Sequence, residues 1–131
     1  MGIDEAKLNE FVDLEAATVA AVERFNDAVD RRDVAALRAA ITPDCRFESP
    51  GAPDGGLFVG DAMVDAFANV FAIPGEGPYL VEELIVAADR AVVRWLHSWD
   101  HGNGESGHVR GIDVFRVRDG AVAEKLSYVK G

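Results

Sequence analysis

From Tyr79 to Val129 the sequence reads as strand after strand, with no helical periodicity between them. Tyr79 to Asp89, Val92 to His101, Val109 to Arg118 and Ala121 to Val129 are rich in Val, Ile, Phe and Trp and are separated only by turn residues. Arg118-Asp119-Gly120 joins the last two as a hairpin, because Gly accepts the positive φ such a turn demands. The first half differs. Between Thr18 and Arg32 the apolar residues Ala21, Val22, Phe25, Ala28 and Val29 recur at helical spacing. Asp33 reads as the N-cap of a short helix, Val34 to Ile41, that stops before Pro43. After Gly60, Met63, Val64, Phe67, Val70 and Phe71 form one apolar stripe of a third helix. Cys45, Phe47 and Ser49 alternate with Arg46 and Glu48 in a short first strand. Helices first and antiparallel strands after predict an α+β fold, with three N-terminal helices packed on the concave face of a curved, mostly antiparallel sheet.

Length and charge narrow the function classes. The 131 residues predict a single domain over 1–131, with residues 1–15 as an extra, acidic, weakly periodic helical arm. Thirteen Lys and Arg against 23 Asp and Glu give a net charge of −10, which argues against nucleic acid and anionic membrane as partners. The lone Cys45 forms no internal disulfide, and Met1-Gly2-Ile3-Asp4-Glu5 lacks the basic and apolar regions of a signal peptide, so a cytoplasmic location is expected. The longest apolar run, Leu84 to Ala88, is far short of the ~20 residues of a membrane span.

The element order resembles the SnoaL-like, nuclear transport factor 2-like superfamily. Three stretches carry the resemblance: Phe25-Asn26-Asp27-Ala28-Val29-Asp30-Arg31-Arg32-Asp33, then Phe47-Glu48-Ser49-Pro50, then Gly111 to Gly120. It covers about residues 17–130. The resemblance implies a cystatin-like cone with a cavity between helices and sheet, a homodimer paired through the sheet, and acid/base chemistry on a small hydrophobic carbonyl compound, polyketide- or steroid-like. No cofactor is implied. Within that superfamily the ketosteroid isomerases use an Asp base at the end of the first strand, with a Tyr and a protonated Asp holding the enolate oxygen. Here the base position reads Ser49 and the Tyr position reads Phe25; only Asp113 matches, so true ketosteroid isomerase activity is not expected. Limonene-epoxide hydrolases place Arg and Asp two apart on one strand, whereas this chain has Arg94-Trp95-Leu96. In SnoaL-like cyclases a His near the end of this strand works with an Asp, which makes His101 the textual match.

Asp113 is the most informative position, a carboxyl among Ile112, Val114, Phe115 and Val117 where Asp is unusual. Desolvated in a cavity it acts as acid or hydrogen-bond donor; alternatively it pairs with Arg94, Arg110 or Lys125. Two hairpins leave its neighbours open. A two-residue Asn103-Gly104 turn sets Asp113 opposite Arg94, and a loop one residue longer sets it opposite Trp95, on the face shared by Val93, His97 and Trp99. Likewise, a two-residue turn at Asp119-Gly120 sets Leu126 opposite Asp113, and a three-residue turn sets Lys125 there. His97 is the ionisable residue in the Trp95/Trp99 stripe and the candidate base; otherwise it is a packed core imidazole. His97 and His101 lie four apart, ~13 Å along a strand, too far for one ion, so no metal site is expected. Phe25, Phe47, Ser49, Phe67, Trp95, Trp99 and Phe115 are the candidate cavity lining. The outward residues Ile112, Val114, Val122 and, in one register, Leu126 suggest a dimer face. The expected function is therefore cofactor-free acid/base chemistry by Asp113 with His97 or His101; the alternative is a non-catalytic ligand-binding or dimeric module of the same fold.

Overall fold

A computed structural model describes residues 2–51 and 53–130; Met1, at the start of the expected arm, Ala52, in the Pro50–Gly60 turn cluster, and Gly131 lie outside it. The arm and first helix are one helix, α1 (Glu5–Asp30), capped by the Asp4 side chain, which accepts from the Lys7 N–H at 2.8 Å. Its residues up to Ala17 are exposed, and burial begins at Thr18. Asp33 caps α2 (Val34–Ala40), accepting from the Ala36 N–H at 3.0 Å. α2 ends at Ala40 because the chain turns directly into β1 (Ile41–Glu48). That strand begins four residues before the expected Cys45 and passes through Pro43, which is tolerated where pairing with its neighbour is interrupted between Ile41 and Arg46. β2 (Leu57–Val59) is an edge strand too short to show a period; α3 (Asp61–Phe71) follows. β3 (Glu76–Ala87), β4 (Arg90–Asp100), β5 (Ser106–Arg118) and β6 (Ala121–Val129) complete the chain. β3 starts three residues earlier than the apolar pattern indicates, its Pro78 accommodated on the sheet edge.

The six strands form one sheet in the order β2-β1-β6-β5-β4-β3, antiparallel except for the β1–β6 pair. The three helices pack against this curved sheet, as expected for an α+β cone. Between them lies the core of Phe25, Leu37, Met63, Val64, Phe115 and Val122. Phe25 meets Phe67 and Phe115 edge-on at 5.8 and 5.6 Å between ring centres.

Both hairpins depart from the registers open in the sequence. β4 and β5 are joined through residues 101–105, which sets Val93, not Arg94 or Trp95, opposite Asp113. The face is nevertheless the one shared by Val93, Trp95 and His97, all buried with Asp113. Trp95 pairs with Gly111, and a Cβ at Gly111 would stand 2.4 Å from the Trp95 ring, so only Gly lets the indole lie flat on β5. The second hairpin has the two-residue turn, with Asp119 and Gly120 at φ 52° and 76°. A bulge then follows: Val122 and Ala123 are both buried, and the register shifts between Val117 and Arg116. Ser127 therefore faces Asp113, and Leu126, the two-residue expectation, points outward. Val122, expected on the dimer face, lies wholly inside the core, because the two-residue turn sets it opposite the buried Val117.

Candidate functional site

α1, α3, β1 and the concave faces of β3–β6 enclose a cavity of about 740 Å³. Phe25, Phe47, Ser49, Phe67 and Trp95 line it, together with His97 and Asp113. Phe115 sits beneath the wall, fully buried against Phe25, and neither Trp99 nor His101 is among the lining residues. The walls are mainly apolar, as in a site that binds by exclusion of water with a few polar groups to set orientation.

At the sheet centre, β5 and β6 bring three polar side chains together. Ser127 donates from Oγ to Asp113 Oδ1 at 2.7 Å, and Lys125 Nζ lies 2.6 Å from Ser127 Oγ and 3.2 Å from the same Oδ1. The Lys125 and Asp113 side chains are only 10% and 8% exposed. The ammonium also stands over the rings of Phe47 and Phe67, 4.7 and 5.6 Å from their centres. Of the pairings open in the sequence, Lys125 is the partner. Arg94 is exposed on the other face, and Arg110 there meets Glu82 at 3.0 Å. The β6 bulge creates this cluster, since without it Lys125 and Ser127 would point away from Asp113.

A second polar group lies at the β3–β4 end. Glu76 opens β3 and bridges two imidazoles: its Oε2 is 2.7 Å from His97 Nε2 and its Oε1 is 3.1 Å from His101 Nε2. His101 has left the strand, so the side chains converge although strand spacing separates their backbones. Asp113 makes no hydrogen bond to either histidine; the two polar groups share the cavity as separate pairs. Among the described residues, no group of three or more His, Cys, Asp or Glu side chains is arranged to hold a metal ion.

The Glu76 position is fixed from the helix side. The Arg32 guanidinium donates to the carbonyls of Ile73, at 3.2 Å, and of Glu76, while Asp30 accepts from the Tyr79 N–H at 3.3 Å. Tyr79 stacks on His97 with ring centres 4.2 Å apart and planes at 11°. Burial, then the charges of Asp113, Glu76 and Asp30, push its phenol up to about 12, so it stays a neutral hydrogen-bond donor. Burial raises the Glu76 acid as well, but the hydrogen bonds from His97 and His101 outweigh it and hold Glu76 below its ordinary 4.5. A depressed acid stabilises the fold above its unfolded value, and that contribution is lost as the pH falls through the folded one. Denaturation curves of the Glu76→Gln variant should therefore lose part of the decline in stability that the parent shows below about pH 4.5; superimposable acid limbs would contradict this.

Sequence reasoning gave no role to Glu76, Tyr79 or Ser127. Glu76 sits in the Pro74–Pro78 turn cluster, where an acid is unremarkable. Tyr79 was legible as a strand residue only, and Ser127 depended on the bulge.

Residues 22–125 match the model of the SnoaL-like domain. The chain belongs to the SnoaL-like domain family. Its structure is similar to an NTF2-like protein of unknown function from Mesorhizobium loti, with 35% identity over 89% of this chain and 93% of that one, at a TM-score of 0.77. IdmH, a putative polyketide cyclase from Streptomyces antibioticus, shares the fold at 19% identity, covering 86% and 91%, with a TM-score of 0.75. An LEH-like epoxide hydrolase from M. tuberculosis shares it at 17% identity, covering 88% and 84%, with a TM-score of 0.74. No protein with a curated description matches in sequence. The SnoaL-like fold accounts for the cone. Within it, the strand-end residue Ser49 has its hydroxyl engaged, accepting from the Gly56 N–H at 2.8 Å, and Phe25 presents a bare ring.

Proposed function

We propose that the cone binds a small, flat, hydrophobic carbonyl compound, polyketide- or steroid-like in shape, and that His97 removes the proton alpha to its carbonyl without a metal or organic cofactor. One observation carries this reading: only one ring nitrogen of His97 is engaged. With Glu76 accepting from Nε2–H, the lone pair lies on Nδ1, which is buried without a hydrogen-bond partner in a residue that lines the cavity, so proton removal requires a side-chain shift that opens Nδ1 to the ligand. Glu76 fixes the tautomer as the third group of a base assembly does. Tyr79 and Lys125 supply donors for the carbonyl oxygen, and the aromatic walls exclude water. Asp113 acts through Lys125 and Ser127, and His101 acts through Glu76. The reading is tested by α-proton exchange of 2-tetralone in D₂O, followed by NMR, against buffer with an equal concentration of imidazole. Exchange well above that background is expected.

A second reading, a carrier without catalysis, draws on the pairing of Asp113 with Lys125 and of Ser49 with Gly56, which leaves neither of those two isomerase positions with a free group. Binding of 2-tetralone with exchange at the imidazole rate would favour it. No helix among the described residues is long and apolar enough to cross a membrane.

The homodimer belongs to the same proposal. On the convex face Leu80 pairs with Leu96, Ile85 with Val92, Ile112 with Tyr128 and Val114 with Leu126. Leu80, Ile85 and Tyr128 are each more than half exposed there. An apolar face of this extent, interrupted by Arg94 and the Arg110–Glu82 pair, favours self-association. Light scattering at micromolar concentration should return twice the 14.1 kDa chain mass; a monomer mass would remove the dimer.

A further inference from the structure

We propose that Lys125 is a nucleophilic amine that condenses with the carbonyl carbon of the cavity's ligand to form an imine. The inference rests on the reading of that ligand as a carbonyl compound. The sequence holds three lysines, and of these Lys125 alone lines the cavity; Lys7 and Lys130 are exposed. Its Nζ is held from one side by Ser127 Oγ and Asp113 Oδ1, and the apolar rings of Phe47 and Phe67 flank it.

The arrangement supplies what condensation needs. An ammonium must first lose a proton, and Asp113 is in contact to take it. Ser127 already donates to Oδ1, the oxygen that also faces Nζ, while Oδ2 takes part in neither contact and is open to protonation. The freed nitrogen lone pair then attacks the carbonyl carbon, a C–N bond forms, and the carbonyl π electrons move to oxygen. Oxygen collects two protons, one returned by Asp113 and one from nitrogen, and leaves as water while the C=N bond closes. The net change is Lys–NH₃⁺ plus R–CHO giving Lys–NH⁺=CHR plus water. Charge is conserved at Nζ, so the iminium keeps the same carboxylate and the same aromatic faces that hold the ammonium. A buried site therefore suffers no change of net charge, and its apolar walls limit hydrolysis of the product.

The test is reductive trapping of the full chain with 2-naphthaldehyde and cyanoborohydride, which delivers hydride to the iminium carbon. Intact mass and peptide mapping then locate an added mass equal to the aldehyde less one oxygen. Modification of Lys125 should saturate with aldehyde concentration and proceed at least about tenfold faster than that of Lys7 or Lys130, which serve as internal controls. Lys125→Arg should lose the adduct while still binding the aldehyde by calorimetry without reductant. Because the wild-type map alone locates the adduct, the test survives poor folding of the variant. Lys125 left unmodified, or modified no faster than Lys7 and Lys130, while calorimetry shows the aldehyde bound, overturns the imine and leaves the carbonyl-binding reading standing. Absence of both binding and adduct overturns both.

Discussion

Asp113→Leu should lower the folding free energy by about 3–5 kcal/mol, because it leaves the Lys125 ammonium buried with no carboxylate beside it. A domain of this size has a net stability of only ~5–15 kcal/mol, so the variant should sit close to its unfolding threshold at room temperature. The aromatic faces of Phe47 and Phe67 offset part of the loss, and Ser127 keeps its contact with Nζ, but neither carries a compensating charge. Adding Lys125→Met should restore most of the stability, since a buried pair exchanged for apolar side chains of similar volume is often neutral or better. Asp113→Asn retains the shape yet still strands the cation, and should resemble Asp113→Leu more than the double variant. Denaturant titrations of the parent, these three variants and Lys125→Met alone measure this directly. Independent, additive effects of the two substitutions would show that the pair does not act as one unit.

His97→Gln should reduce α-proton exchange of 2-tetralone about 10²–10⁴-fold, the range that a positioned general base contributes. Binding of the ketone should change little, because the oxygen donors at Lys125 and Tyr79 remain. His101→Gln is the control: His101 reaches the site only through the second oxygen of Glu76 and is absent from the cavity lining, so its effect should be small. Glu76→Gln should fall between, since the amide oxygen still accepts from Nε2–H but no longer supports the imidazolium that forms when Nδ1 takes the proton. Equal losses in the His97 and His101 variants would assign the chemistry to the pair as a whole and not to Nδ1 of His97.

The α+β order and the face occupied by Asp113 were legible in the sequence because each follows from short-range periodicity, and the family came from the resemblance of three short stretches. Helical spacing marks Val22, Phe25 and Val29, and alternation along β5 sets Asp113 with Gly111 and Phe115 whatever strand lies beside it. Asp113, His97 and seven lining residues were named; Asp113, His97, Phe25, Phe47, Ser49, Phe67 and Trp95 line the cavity, and Trp99 and Phe115 do not. Cross-strand partners follow a different logic. Turn length and a single inserted residue decide them, and at the β6 bulge Val122 and Ala123 are both apolar, so either register is locally acceptable. Burial of Ala123 next to Val122 selects the one that turns Lys125 and Ser127 inward. Glu76 is the sharper case. Nothing in Pro74-Gly75-Glu76-Gly77-Pro78 distinguishes its acid from a solvated one, and its value to His97 arises only when Arg32, Asp30 and β4 fix the start of β3 against the end of α1. The sequence by itself determined the order of helices and strands, the apolar stripes of the helices and the inward face of β5, since these are properties of each segment alone. The tertiary structure alone decided which charges meet inside, because those contacts join residues far apart in the chain through registers that no single segment encodes.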